Sequence, residues 1–248
     1  MSLPLPSGTT LEARLTARLA RVRDARGRSL MLKRLSPRLR GEALAERMFA
    51  VEVHILRRLP RGLGPAYVAH GEDSAGPWLL EEYLLGHDLG AWITRYGAMP
   101  EPLVAQLFER GKACLRRLHE ASDRRGALEL IHGDVAPGNL LLSPALDLHL
   151  IDFDLGSVRG APRPVDGRVR GTLHYISPRI ARGEALAPAD DTFALAMCML
   201  FALTGAPPRT ESGAALVLAA GEGPPTLPPI QDPALARALA SALDLHPG

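Results

Sequence analysis

Ile131-His132-Gly133-Asp134-Val135-Ala136-Pro137-Gly138-Asn139 is the stretch on which the reading of this chain turns, and Ile151-Asp152-Phe153-Asp154 follows it closely. Asn139 is the only asparagine among 248 residues. The residue types and intervals suit phosphoryl transfer. An Asp can take the proton of an attacking hydroxyl, and an Asn five residues on, in the same tight loop, can turn its amide oxygen onto a magnesium ion. Asp152, thirteen residues after Asn139, can reach the same metal from the next turn.

Composition frames the rest. The length allows one large domain or two lobes sharing a cleft, and 46% hydrophobic with 23% charged residues is ordinary for a soluble globular chain. The net charge of +2 is spread over alternating Arg and Asp/Glu without a polybasic block, so neither nucleic acid nor a membrane is expected as a partner. Met1 to Gly8 has neither a basic start nor an apolar stretch of signal-peptide length, which makes the cytoplasm the expected location. The longest apolar run, Phe193 to Leu203, falls short of the roughly 20 residues that cross a bilayer and is expected to be a buried helix. Cys114 and Cys198 lie in apolar, helix-like stretches without metal-ligand spacing and are expected as reduced core thiols.

The chain changes texture along its length. Loose alternation from Leu11 to Leu35, with Asp24-Ala25-Arg26-Gly27 between two runs, predicts a hairpin ending in Met31-Leu32-Lys33-Arg34-Leu35. Leu44, Met48, Val51, Ile55, Leu56 and Leu59 recur at helical spacing until Pro60-Arg61-Gly62 stops them. Strands are expected near Ala66 to His70 and Trp78 to Tyr83, turning at Asp73 to Gly76. After Gly86 the pattern is helical, with Val104 to Leu118 as a long amphipathic helix. Short strands at Leu140 to Leu142 and Leu148 to Ile151 place Asn139 and Asp152 at the ends of one pair. A loop to about Arg170, a helix from Asp191, a Gly/Pro-rich loop from Gly221 to Pro233 and a last helix with Leu235, Leu239 and Leu243 complete the reading.

From about Gly8 onward these motifs, in this order, resemble the protein kinase superfamily, in particular a minimal, divergent bacterial relative of eukaryotic Ser/Thr kinases. The resemblance implies an α+β bilobal fold: an N-lobe at residues 1–85, with a small antiparallel sheet and one helix, and a mainly helical C-lobe at residues 86–248. In that family a lysine on the third strand holds the nucleotide phosphates and pairs with a glutamate on the following helix. Lys33 and Glu52 fit both positions, and Lys33 is one of two lysines among 29 basic residues. By the same resemblance Asp134 is the catalytic base and Asn139 and Asp152 are metal ligands, with ATP and Mg2+ (Mn2+ being a substitute) as cofactors. Adenine is expected against the connector Glu82-Tyr83-Leu84, with Glu82 and Leu84 as its neighbours. Gly171-Thr172-Leu173-His174-Tyr175-Ile176-Ser177-Pro178-Arg179 is similar to the segment with which protein kinases cradle a peptide, and Gly171, Thr172 and Tyr175 carry the likeness. His132 and Asp191 match structural positions, Asp191 being the family's anchor for the catalytic-loop backbone.

Several positions depart from the family. Gly133 replaces the usual Arg of His-Arg-Asp, so ordering of the following loop by phosphorylation, which needs a cationic partner, is expected to be weak or absent. Ala136 replaces the lysine of Ser/Thr kinases, a pattern also seen in aminoglycoside-type kinases. Asp154 stands for the glycine of Asp-Phe-Gly. The Gly-x-Gly-x-x-Gly loop is absent, and Leu11-Glu12-Ala13-Arg14-Leu15 is expected in its place, where backbone amides approach phosphates less closely. Arg179 replaces a Glu whose Arg partner would fall about where the sequence closes, so both halves of that ion pair are expected to be missing together. Glu81 aligns with a usually apolar residue at the back of the adenine pocket, and in that register it can reach Lys33. The expected activity is ATP- and Mg-dependent phosphorylation of a protein Ser or Thr. A nucleotide-binding pseudokinase and a small-molecule kinase stay open as alternatives; the missing glycine loop favours the first and the His-Gly-Asp loop the second.

Overall fold

The computed structural model describes residues 4–161 and 169–244. Its first part is a five-stranded antiparallel sheet: β1 (Thr9–Arg14), β2 (Leu19–Asp24), β3 (Ser29–Arg34), then, after helix α1 (Ala43–Leu56), β4 (Tyr67–Asp73) and β5 (Gly76–Glu82), in the order β1-β2-β3-β5-β4. The second part is mostly helical. It runs β6 (His87–Asp88), α2 (Leu89–Tyr96), α3 (Glu101–His119), β7 (Ser122–Asp123), β8 (Gly126–Ala127), β9 (Leu140–Leu142), β10 (Leu148–Leu150), α4 (Pro178–Ala181), α5 (Pro188–Thr204), α6 (Gly213–Glu222) and α7 (Pro233–Ala242). No helix among the described residues is long and apolar enough to cross a membrane.

The sheet has one strand more than the single hairpin expected before Lys33. Leu15 to Arg18 form an additional reversal between β1 and β2, closed by the Thr16 hydroxyl, which accepts from the amides of Arg18 (3.1 Å) and Leu19 (3.0 Å). A serine or threonine can close a turn in this way without Gly, Pro, Asn or Asp, which is why the pattern of turn residues gave no sign of it. Leu11 to Arg14 consequently lie within β1, and the expected phosphate-loop position moves to Leu15 to Arg18. The stretch before Gly223 also differs: apolar residues from Ala214 to Ala220 form α6, so the Gly/Pro-rich loop begins only at Gly223.

Packing of α3 against α5 forms the base on which the loops rest. Val104, Leu107, Phe108, Leu115 and Leu118 are buried along α3. The apolar run read as a buried helix is α5, with Leu195, Ala196, Met197, Cys198 and Met199 all without exposure. The close approach uses Gly111, where an added Cβ would sit 2.8 Å from Leu195 Cδ2. Both cysteines are free and buried. Burial of an average core side chain contributes about 1.5–3 kcal/mol, so this long apolar interface is the main stabilising element under the loops.

Candidate active site

The loop from Ile131 to Asn139 is fixed from below by a buried carboxylate. Asp191, in the first turn of α5 and 1% exposed, accepts from the amides of His132 (2.8 Å) and Gly133 (2.9 Å), and His119 Nε2 donates to it at 2.9 Å. His132 is itself fully buried; it donates from Nε2 to the Ile151 carbonyl at 3.0 Å and accepts the Asp134 amide at Nδ1. Its ring lies 4.7 Å, centroid to centroid, from that of the buried Phe153. These contacts tie the loop holding Asp134 to the one holding Asp152.

Gly133 has a steric requirement. Its φ is +76°, and a Cβ there would lie 2.3 Å from the Leu155 carbonyl oxygen. A side chain cannot enter without moving backbone, so the departure at this position is built into the local fold.

At the loop's working end, Asn139 donates from Nδ2 to the Asp134 carbonyl (2.9 Å) and to Asp134 Oδ2 (3.2 Å), leaving its amide oxygen to face away from these bonds. Asp134 Oδ1 accepts the Thr172 amide at 2.7 Å. The Gly171–Thr172 backbone therefore sits directly against the Asp134 carboxylate. Gly171 (φ +112°) supports this approach, since a Cβ on it would be 3.4 Å from Asp134 Oδ1. Tyr175 is buried, edge-on to Phe201 of α5, and closes a turn back to the Thr172 carbonyl.

Lys33 forms the second cluster. Its Nζ is 2.6 Å from Glu52 Oε1, 3.4 Å from Glu81 Oε1 and 3.4 Å from Asp152 Oδ1. Burial alone would lower the Lys33 pKa, but Glu52, Glu81 and Asp152 outweigh it and hold the ammonium well above its usual range. One ammonium cannot satisfy so many carboxylates. Burial pushes Glu81 up to about 7 despite Lys33, and raises Glu52 as well. Asp154 is likewise raised to about 7, by burial first and then by Asp152, Glu52 and Asp134. Asp152 adopts a left-handed backbone (φ +65°), which Asp tolerates better than most residues other than glycine, and its carboxylate is half exposed.

A cavity of about 200 Å3 joins the clusters, lined by Leu19, Lys33, Glu81, Leu84, Asn139 and Asp152 among others, with Glu82 at its edge. The larger cavity of about 870 Å3, between Arg57, Pro60 and Tyr83, contains none of the catalytic-loop or metal-ligand candidates. Size alone would mislead here, because convergent polar groups are the better mark of a site. All expected site residues except the connector and segment positions thus fall into two linked clusters, and Thr172 joins the segment to them. As to metal, the available donors are hard oxygens: the Asn139 amide oxygen and the carboxylates of Asp152 and Asp154. Such a set suits Mg2+, which is often held by one or two carboxylates with phosphates and water completing the shell.

Sequence reading missed two features. Arg209, between α5 and α6, is 5% exposed and donates to the carbonyls of His174 (3.3 Å), Ile176 (2.9 Å) and Gly223 (3.1 Å). Nothing in Pro208-Arg209-Thr210 distinguishes it from a surface arginine. Arg179, which stands in place of one half of the family's ion pair, meets carboxylates of its own neighbourhood, at 3.5 Å from Glu184 and 3.7 Å from Asp190.

The sequence profile described as protein kinase domain matches residues 19–220. The chain belongs to this family, and its sheet followed by helices is the family's bilobal α+β fold. Among curated proteins it is similar to a serine/threonine-protein kinase, PknA, of Mycobacterium tuberculosis, with 32% identity over 159 residues, 60% of this chain and 37% of the relative. It is also similar to a probable serine/threonine-protein kinase, PkwA, of Thermomonospora curvata, at 31% identity over 223 residues, 85% of this chain and 28% of that protein. A third, drp72 of Corynebacterium efficiens, is 30% identical over 154 residues, 61% of this chain and 28% of the relative. The chain spans well under half the length of each. Protein kinase domains in general use ATP and a divalent metal.

Proposed function

We propose that this chain is an ATP-dependent protein serine/threonine kinase. The observation that carries the reading is the Asp134 carboxylate, which is bonded on one side to Asn139 and on the other to the Thr172 amide. A base that shares its two oxygens between the metal side and the substrate side is placed to receive the proton of a hydroxyl presented by a peptide. In this reading Lys33 positions the phosphates and Glu52 orients Lys33. Asn139 and Asp152 hold Mg2+, with Mn2+ as a substitute; the bound metal would neutralise charge developing on the phosphoryl group. Adenine lies against Glu82 and Leu84, and Gly171, Thr172 and Tyr175 support the peptide. Residues 1–85 act as the N-lobe and 86–248 as the C-lobe, in the cytoplasm.

A second reading, a nucleotide-binding pseudokinase, is favoured by the β1–β2 reversal, whose Arg18 and Leu19 amides are taken by Thr16 and so withdrawn from phosphates. A small-molecule kinase is opposed by the Thr172 contact. The deciding experiment incubates the chain and its Asp134→Ala variant with magnesium and γ-labelled ATP, and follows ADP and label on protein. Label on Ser or Thr that is lost in the variant supports the kinase. ADP without labelled protein redirects the search to small hydroxyl compounds, and binding without turnover supports the pseudokinase.

A further inference from the structure

Glu81 is the one buried carboxylate of the site that belongs to the same sheet as Lys33. In the β3–β5 pair Lys33 is opposite Leu79 and Met31 is opposite Glu81. Lys33 and Glu81 are therefore diagonal neighbours on one face, a relation that persists as long as the strands stay paired. Glu52, by contrast, reaches Lys33 from α1, outside the sheet, and Asp152 reaches it from a loop, with its carboxylate half exposed and open to metal.

The Glu81 side chain is costly where it stands. It is 4% exposed; Oε1 meets Lys33, while Oε2 is one of three buried side-chain N or O atoms among the described residues that find no hydrogen-bond partner. A buried carboxyl with a free oxygen destabilises a fold, and an apolar side chain would pack there without that penalty. Among the described residues its one close cation is Lys33. The charged groups around it are Lys33 on β3, Glu52 on α1 and Asp152 in the loop after β10.

We infer that Glu81 is a second positioning residue for Lys33, anchored in the sheet, so that Lys33 stays directed into the nucleotide cleft when α1 and its Glu52 shift. The inference rests on Lys33 being the phosphate-binding lysine. In a site served by Glu52 alone, displacing the helix would release the lysine; here the sheet itself keeps one carboxylate against it. Orientation of Lys33 is thereby uncoupled, in part, from the position of α1.

The test exploits the two lysines of the sequence. Full-length chain labelled with 13C-lysine gives two ε-methylene signals, and Lys112→Arg assigns that of Lys33. MgADP affinity is measured by calorimetry on wild type, Glu52→Gln, Glu81→Gln and the double variant. Glu81→Met replaces the amide variant if that one is poorly folded. Redundancy predicts that Glu52→Gln weakens MgADP by less than about fivefold while the double variant weakens it by more than about fiftyfold, a coupling well beyond additivity. The Lys33 signal should move far only in the double variant. That signal reports the surroundings of the ammonium itself, a readout that a merely structural role for Glu81 would not move. If Glu52→Gln alone is as weak as the double variant, or the Lys33 signal moves as far in Glu52→Gln as in the double variant, the inference is overturned. If the wild-type Lys33 signal does not respond to MgADP, the assignment of Lys33 to phosphate fails, and the inference falls with it by a separate and recognisable route.

Discussion

Replacing Asp191 by Ala should unfasten the catalytic loop, and the geometry sets how much that costs. The carboxylate takes two backbone amides, of His132 and Gly133, and the His119 ring, all at 2.8–2.9 Å, and is 1% exposed. Alanine would strand both amides beneath the loop. A hydrogen bond to a charged group is worth about 1.5–3 kcal/mol and a stranded buried donor costs about as much, so Asp191→Ala should lose about 4 kcal/mol, a large share of the ~5–15 kcal/mol that holds a typical protein together. Asp191→Asn keeps one acceptor oxygen but turns an NH2 toward the second amide, and should lose about half as much. Urea unfolding, with the slope checked for constancy across variants, measures both losses. If each variant lost less than ~1 kcal/mol, the amides would have found other partners, and the anchoring role argued for Asp191 would be refuted.

Further outcomes follow from the other contacts. Gly133→Arg, which restores the family's usual residue, should destabilise the chain by more than about 2 kcal/mol and give no response to phosphorylation of the following loop, because its Cβ meets the Leu155 carbonyl; thermal unfolding and a phosphorylated sample check this. For Glu81 the sign is set by its raised pKa, about 7 against an ordinary 4.5. The folded state holds the proton more tightly, so Glu81 imposes no penalty below pH 4.5, and ionising it costs stability as the pH climbs to 7. The Glu81→Gln variant should lack up to about 3 kcal/mol of the fall that wild type shows across that window, read as the difference between their stability-versus-pH curves, since Asp154 titrates in the same range in both. Arg209→Met removes donors from three carbonyls; hydrogen exchange should accelerate selectively over residues 171–177 with α3 and α5 protected as before, and uniform protection there would count against its role in holding the segment.

Much of the fold was legible because it obeys local rules. The period of α3 follows directly from which face must be buried, and the 131–139 loop with Asp152 could be placed because β9 and β10 are short and adjacent, returning the chain to Asn139 within a few residues. The β1–β2 reversal was not legible, since its turn is made by a Thr hydroxyl and no glycine marks it. Arg209 could not be found either. Its partners are carbonyls, which every residue carries, and the contacts span 14 to 35 positions along the chain.

Glu81 shows where the two kinds of information meet. Read locally, Trp78-Leu79-Leu80-Glu81-Glu82 is an apolar run closed by two acids, and an acid at the end of such a run is ordinarily turned to solvent. The sheet register turns it inward, opposite Met31 and diagonal to Lys33. Local preference and global placement therefore conflict at this one position, and such conflicts concentrate where a site requires them. The conflict has no compensation in packing, because Oε2 is unpartnered, and it has one in charge, because Oε1 meets the lysine. A role that acts through Lys33 is the one that uses the contact the misplaced acid makes.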